Sequence, residues 1–125
     1  MFMALGKDDP EYLATIRQAQ ETLDDFVELV ERTGDEGYPC VKALLRDTDG
    51  ELAGIWLALV HVEPDGFIAA PFELPEGHFE VAVGDHIRVA RKNVLDWMVT
   101  IEGKLYGGFS VRLQRSKLPP EKWAE

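Results

Sequence analysis

Residues 51–62, ELAGIWLALVHV, are apolar on both of the faces that a strand would present. A strand with one wet face alternates polar and apolar side chains, so a stretch without that alternation belongs in the middle of a sheet with both faces covered. Its flanks carry turn chemistry, Asp47-Thr48-Asp49-Gly50 before it and Pro64-Asp65-Gly66 after it. Residues 38–46 (YPCVKALLR) read as the preceding strand, extended at its start because Pro39 disfavours a helical Tyr38. With residues 66–72 as the following strand, 38–72 forms a three-stranded meander.

Such a sheet needs a cover, and the amino-terminal third supplies one. Asp9 and Pro10 open a helix, Asp as the cap and Pro at the first position, where its missing N–H has no intrahelical partner. Leu13, Ile16, Leu23, Phe26, Val27 and Val30 then recur at helical steps, and Gly34 ends the run. The pattern predicts one amphipathic helix over residues 10–33, its stripe laid on a sheet face.

The carboxy-terminal part returns to strands. Residues 79–83 are short and extended, and Gly84-Asp85 turns the chain into 86–90. Trp97, Val99 and Ile101 share one strand face, and Glu102-Gly103 makes a hairpin turn into 104–106. Gly107-Gly108 ends that strand. Residues 109–117 fit either a strand or a short helix over 108–117; Arg112, Arg115 and Lys117 towards its end suit the helix dipole and favour helix. The expected fold is α+β in a single domain over 1–125: an amino-terminal helix on a mainly antiparallel, strongly curved sheet within 38–106, then a short helix. Trp56 reads as core, Trp97 as half-buried and Trp123 as a tail residue.

Charge is uneven. The net charge of the 125 residues is −10. Residues 7–36 carry ten acidic side chains against three basic ones, whereas residues 103–125 have a net charge of +3. An acidic face repels nucleic-acid phosphates and steers basic partners, which makes Asp24, Asp25, Glu28 and Glu31 the expected partner-binding residues. No apolar run approaches the roughly 20 residues of a membrane span, and the amino terminus turns acidic too early for a secretory signal, so the expected location is the cytoplasm, away from membranes.

Residues for catalysis are few. The histidines His61, His78 and His86 lack metal-ligand spacing, so neither a metal nor a cofactor is expected. Asp85 and Asp96 read better as turn and backbone-binding carboxylates than as an acid–base pair, with Gly84, Asp85, Asp96 and Trp97 a structural motif. Cys40, the single cysteine, sits among apolar neighbours as a core filler. Gly107, Gly108, Ser110 and Arg112 have the ingredients of an anion cradle, with two glycines, a hydroxyl, backbone donors and a guanidinium. They lack the lysine of a P-loop, and Ser110 has no histidine tied to it.

Val41-Lys42, Gly84-Asp85, Ile87, Val89, Asp96-Trp97-Met98, Gly107-Gly108 and Arg112 together resemble the YegJ-like family, domain of unknown function 2314, over residues 15–118. Phe109-Ser110 stands where that family has Tyr-Thr, and the segment around Trp56 lacks the Glu or His usual just before it. The resemblance implies an α+β fold and no established activity. Related families of small acidic bacterial proteins include immunity proteins that neutralise toxins. The expected function is therefore a small acidic binding protein without catalytic activity. Its partner would be a protein, most concretely a toxin with a basic surface. The alternative is a small-ligand or anion-binding domain using the Gly107–Arg112 corner.

Overall fold

The computed structural model describes residues 9–74, 79 and 81–117. Two helices, α1 (Pro10–Glu21) and α2 (Leu23–Thr33), precede four strands: β1 (Gly37–Arg46), β2 (Leu52–Glu63), β3 (Gly66–Pro71) and β4 (Ile87–Ala90). A 3-10 turn at Arg91–Asn93 leads into β5 (Asp96–Ile101), β6 (Lys104–Gly107) and α3 (Phe109–Ser116). The strands form one open antiparallel sheet in the order β4-β3-β2-β1-β5-β6. The fold is α+β. β2 lies inside the sheet between β1 and β3, but only its Ile55 and Leu57 face is buried; Trp56 and Ala58 on the other face are half-buried rather than covered. Both edges are strands of only four residues, which leaves little unpaired backbone to recruit another chain.

The single helix expected over 10–33 is two helices. Thr22 leaves helical geometry at φ −113° and ψ 12°, and its hydroxyl donates back to the Gln18 carbonyl at 2.8 Å. Such back-bonding competes with the helix ladder and bends it. The same oxygen accepts the Trp97 indole N–H at 2.9 Å, so the break also serves a contact made 75 residues away. The carboxy-terminal segment is helical rather than extended. Residues 72–86 hold no strand among the described positions beyond the isolated bridge of Phe79 to Asp47.

Beyond the break, α2 lays Leu23 and Phe26 on one sheet face, over Val41, Ala43, Leu57, Phe67, Trp97 and Val99. Phe26 stacks on Trp97 with ring centroids 5.2 Å apart and meets Phe67 at 5.6 Å. Trp97 is thus a core residue at 5% exposure, while Trp56, on the opposite sheet face, is only half-buried. The reversal of the expected roles follows from register: Trp97 pairs with Val41, on the helix side, and Trp56 pairs with Lys42, on the other. Cys40 is fully buried, and burial pushes its thiol up to about 11, the state of an inert packing residue. Among the described residues no helix is long and apolar enough to cross a membrane.

Candidate functional site

On the sheet face away from Phe26, Lys42 of β1 lies directly between Trp56 of β2 and Asp96 of β5 in the strand register. The lysine is only 6% exposed. Gly54 makes room for its stem: a Cβ there would stand 2.9 Å from the Lys42 Cε. The ammonium lies over the Tyr12 ring of α1 at 5.5 Å from its centroid and over the Trp56 ring at 6.0 Å. It makes no hydrogen bond or ion pair among the described residues, yet no described buried side-chain nitrogen or oxygen is both sealed from solvent and unpartnered. Its Nζ therefore keeps a contact with solvent beside the two rings.

The neighbouring carboxylate has the opposite fate. Asp96 is fully buried and accepts four hydrogen bonds. Oδ1 takes the Trp97 N–H at 2.8 Å and the Phe109 N–H at 3.2 Å, and Oδ2 takes the Ser110 N–H at 2.8 Å and the Ser110 hydroxyl at 2.6 Å. Two of these donors are free backbone N–H groups in the first turn of α3. Gly108, at the cap position, has no side chain to satisfy them, so a carboxylate from an adjacent strand does it.

Burial raises the Asp96 carboxyl above the ordinary carboxylate range, with its four donors pulling the other way. Burial lowers the Lys42 amine, against the upward pull of the Asp96 charge. Tyr12 is raised by burial and then by Asp96. One cluster thus holds three perturbed groups, a pattern that marks candidate functional sites.

The sequence candidates fall around this cluster or away from it. Gly107, Gly108, Ser110 and Arg112 do meet at one corner, but their donors are engaged internally. Ser110 bonds Asp96, while Arg112 donates through Nε to the Gly107 carbonyl and through Nη2 to that of Leu105, both at 2.8 Å. Asp85 caps its own turn by accepting the Ala82 N–H at 2.8 Å, next to Gly84 at φ 90°. Three strands separate β4, which follows Asp85, from Asp96 on β5, so the two carboxylates do not form a pair. On α2, Asp24 pairs with Arg91 at 2.6 Å and Glu28 with Arg32 at 2.8 Å, leaving Asp25 and Glu31 exposed and without an ion pair. His61 meets Glu63 at 3.2 Å, His86 is exposed and His78 lies outside the described residues. Among the described residues no group of three or more His, Cys, Asp or Glu side chains is placed to hold a metal.

The family model described as an uncharacterized protein conserved in bacteria, DUF2314, matches residues 9–125. The chain belongs to this family. It is also 26% identical to the uncharacterized protein YegJ of Escherichia coli (strain K12) over 106 residues, which span 85% of this chain and 68% of that protein. No solved structure matches. In this DUF2314 chain, several of the residues that carried the resemblance converge. Lys42, Asp96-Trp97, Gly107-Gly108 and Arg112 surround one junction of β1, β5, β6 and α3. Tyr12 and Lys42 were missing from the sequence candidates. The signal was a lone cation in the row Cys40, Lys42, Leu44, opposite Trp56 once the DTDG hairpin is closed.

An ammonium buried without a partner costs stability, because desolvation is not repaid by a hydrogen-bonded ion pair. The two ring contacts, at 5.5 Å and 6.0 Å, offset part of that cost, about 0.5–2 kcal/mol each. Lys42→Met is therefore expected to stabilise the protein by roughly 1 kcal/mol. The sign with pH follows from linkage. The native amine releases its proton below the unfolded value of 10.5, so the charge penalty is complete below the native pKa. It fades as pH rises through the window up to 10.5. The stability difference between Lys42→Met and wild type, measured by urea unfolding, should narrow as pH rises through that window. A difference independent of pH would show that the ammonium is not what Met relieves. Tyr12 contributes in the opposite sense, since its raised pKa removes stability as pH rises.

Proposed function

We propose that this DUF2314 protein is a cytoplasmic binding protein whose site is the cleft formed by Lys42, Tyr12 and Trp56. One observation carries the reading: a lysine 6% exposed, held between two aromatic rings, makes no hydrogen bond or ion pair among the described residues. Proteins keep a destabilising polar group where function uses it. A small-ligand site of mostly apolar walls with one placed polar group fits that description. Binding, rather than catalysis, is favoured because Asp96, the carboxylate beside the lysine among the described residues, is fully engaged by Trp97 and the start of α3.

The test is a fragment screen by amide and indole NMR on the full chain. Hits are expected to perturb the Trp56 indole N–H and the Tyr12 region, and to lose that effect in Lys42→Met. Hits that bind the variant equally, or a screen that leaves this cleft unperturbed, would remove the reading.

A second reading, an immunity-type inhibitor of a toxin with a basic surface, is favoured by Asp25 and Glu31, which project from α2 without ion pairs. Charge reversal at both positions should abolish low-salt capture of the partner from the native host. Unchanged capture would exclude α2 as the contact.

A further inference from the structure

We infer that the Lys42 cleft takes a small flat monocarboxylate, its oxyanion on the Lys42 ammonium and its planar body along the Tyr12 and Trp56 rings. This inference rests on the ligand-binding reading above and names the ligand class for that site.

The hydrogen-bond inventory of the cluster points to an acceptor. The Lys42 Nζ, the Trp56 indole N–H and the Tyr12 hydroxyl make no hydrogen bond among the described residues. A lysine ammonium and an indole only donate, and a phenol donates readily. The neighbouring acceptor is Asp96, and a carboxylate offers about four lone-pair sites. All are filled, two bonds on each oxygen. Lys42 and Asp96 also make no ion pair. None of these donors is both sealed from solvent and unpartnered, so each is open to an oxygen acceptor from outside the chain that displaces water, and a charge-assisted bond to the ammonium is the strongest such contact available.

The walls and the charge narrow the class. A ligand oxygen on an ammonium lying 5.5 Å and 6.0 Å from two ring centroids brings the rest of the molecule along those ring faces, which favours a planar, polarisable body. The buried Asp96 carboxylate already stands next to Lys42 in the register, so the single cation leaves room for one further negative charge at most. Arg112, the guanidinium of the adjoining corner, is held by the Leu105 and Gly107 carbonyls, so it is not free to supply a phosphate dianion with a second counter-charge.

The experiment titrates isotope-labelled full-length protein with benzoate, benzamide and acetate, and repeats the series on Lys42→Met. Benzoate is expected to shift the Trp56 indole resonance and its neighbours. Its affinity should exceed that of benzamide, which keeps the ring without the charge, and of acetate, which keeps the charge without the ring, by tenfold or more. Lys42→Met, with its native spectrum retained, should lose the benzoate response. Equal binding of benzamide, still dependent on Lys42, would overturn the carboxylate class while leaving a ligand site in place. Equal binding of acetate would overturn the planar body. Shifts centred instead on the cleft of about 340 Å³ near Ile87, Arg88 and Lys92, or no shifts with any probe, would overturn this inference. A fragment screen that still finds Lys42-dependent hits would then separate its failure from that of the binding reading.

Discussion

Asp96→Ala should cost about 3–5 kcal/mol of stability, because it strands several buried donors at about 1–3 kcal/mol each, part of which relaxation recovers. The carboxylate is sealed from solvent and accepts from Trp97, Phe109 and Ser110, so its loss leaves three backbone N–H groups and one hydroxyl without an acceptor. Each such group carries its own desolvation cost. α3 loses its cap at the same time, and Phe109, which meets the Trp97 ring edge-on at 5.7 Å, loses its anchor. Against a total stability of roughly 5–15 kcal/mol for a domain of this kind, the variant is marginal. Urea unfolding followed by tryptophan fluorescence measures the loss. Asp96→Asn should fall between the two, because its one carbonyl oxygen can serve two donors while its amide faces the others. A cost below about 1 kcal/mol for the alanine variant would mean that water replaces the carboxylate and that Asp96 is not the keystone of this junction.

Gly107→Ala is the second large effect, expected at roughly 2–5 kcal/mol from backbone strain and overpacking together. Gly107 sits at φ 73°, where a side chain is strained whatever the space. Here there is no space either. A Cβ would stand 2.5 Å from the Trp97 ring at Cε3 and 2.6 Å from the Trp97 carbonyl oxygen. That oxygen cannot retreat freely, since it accepts the Gly108 N–H at 2.7 Å. Gly103→Ala is the control. It has φ 79° but nothing within 4 Å, so only strain of about 1–2 kcal/mol applies. If the two alanine variants unfold at the same urea concentration, the close approach of Gly107 to Trp97 contributes nothing.

The fold was largely legible because it rests on periodicity. The two apolar faces of β2, the alternation of Trp97, Val99 and Ile101, and the turn residues at Asp47–Gly50 and Glu102-Gly103 are local signals of a sheet, and the strands formed where those signals lie. The break at Thr22 was hidden because part of its reason, the Trp97 indole, lies far along the chain. The corner at Gly107–Arg112 was recognisable as unusual. Its sequence did not reveal that Asp96 would occupy the donors that an anion needs. Lys42 was concealed differently. In YPCVKALLR it looks like the polar position of an alternating strand, and only cross-strand pairing places it between Trp56 and Asp96 beneath Tyr12. The expected site residues were the chemically conspicuous ones, whereas the cluster that emerges is conspicuous by environment.

The pairing of β1 with both β2 and β5 has a kinetic consequence. β2 follows β1 after a five-residue turn, but β5 arrives only after some 50 further residues. Until it docks, one side of β1 is an open edge, and the loop-closure entropy of that late pairing is not yet met. Tyr12, Trp56, Lys42 and Asp96 come from four separate elements, so the Lys42 cleft exists only in the finished fold. If the proposed ligand binds there, it would select completed molecules over partly assembled ones and raise apparent stability by mass action. The site would then act as a checkpoint on assembly, with occupancy reporting that the last strand of its wall is in place.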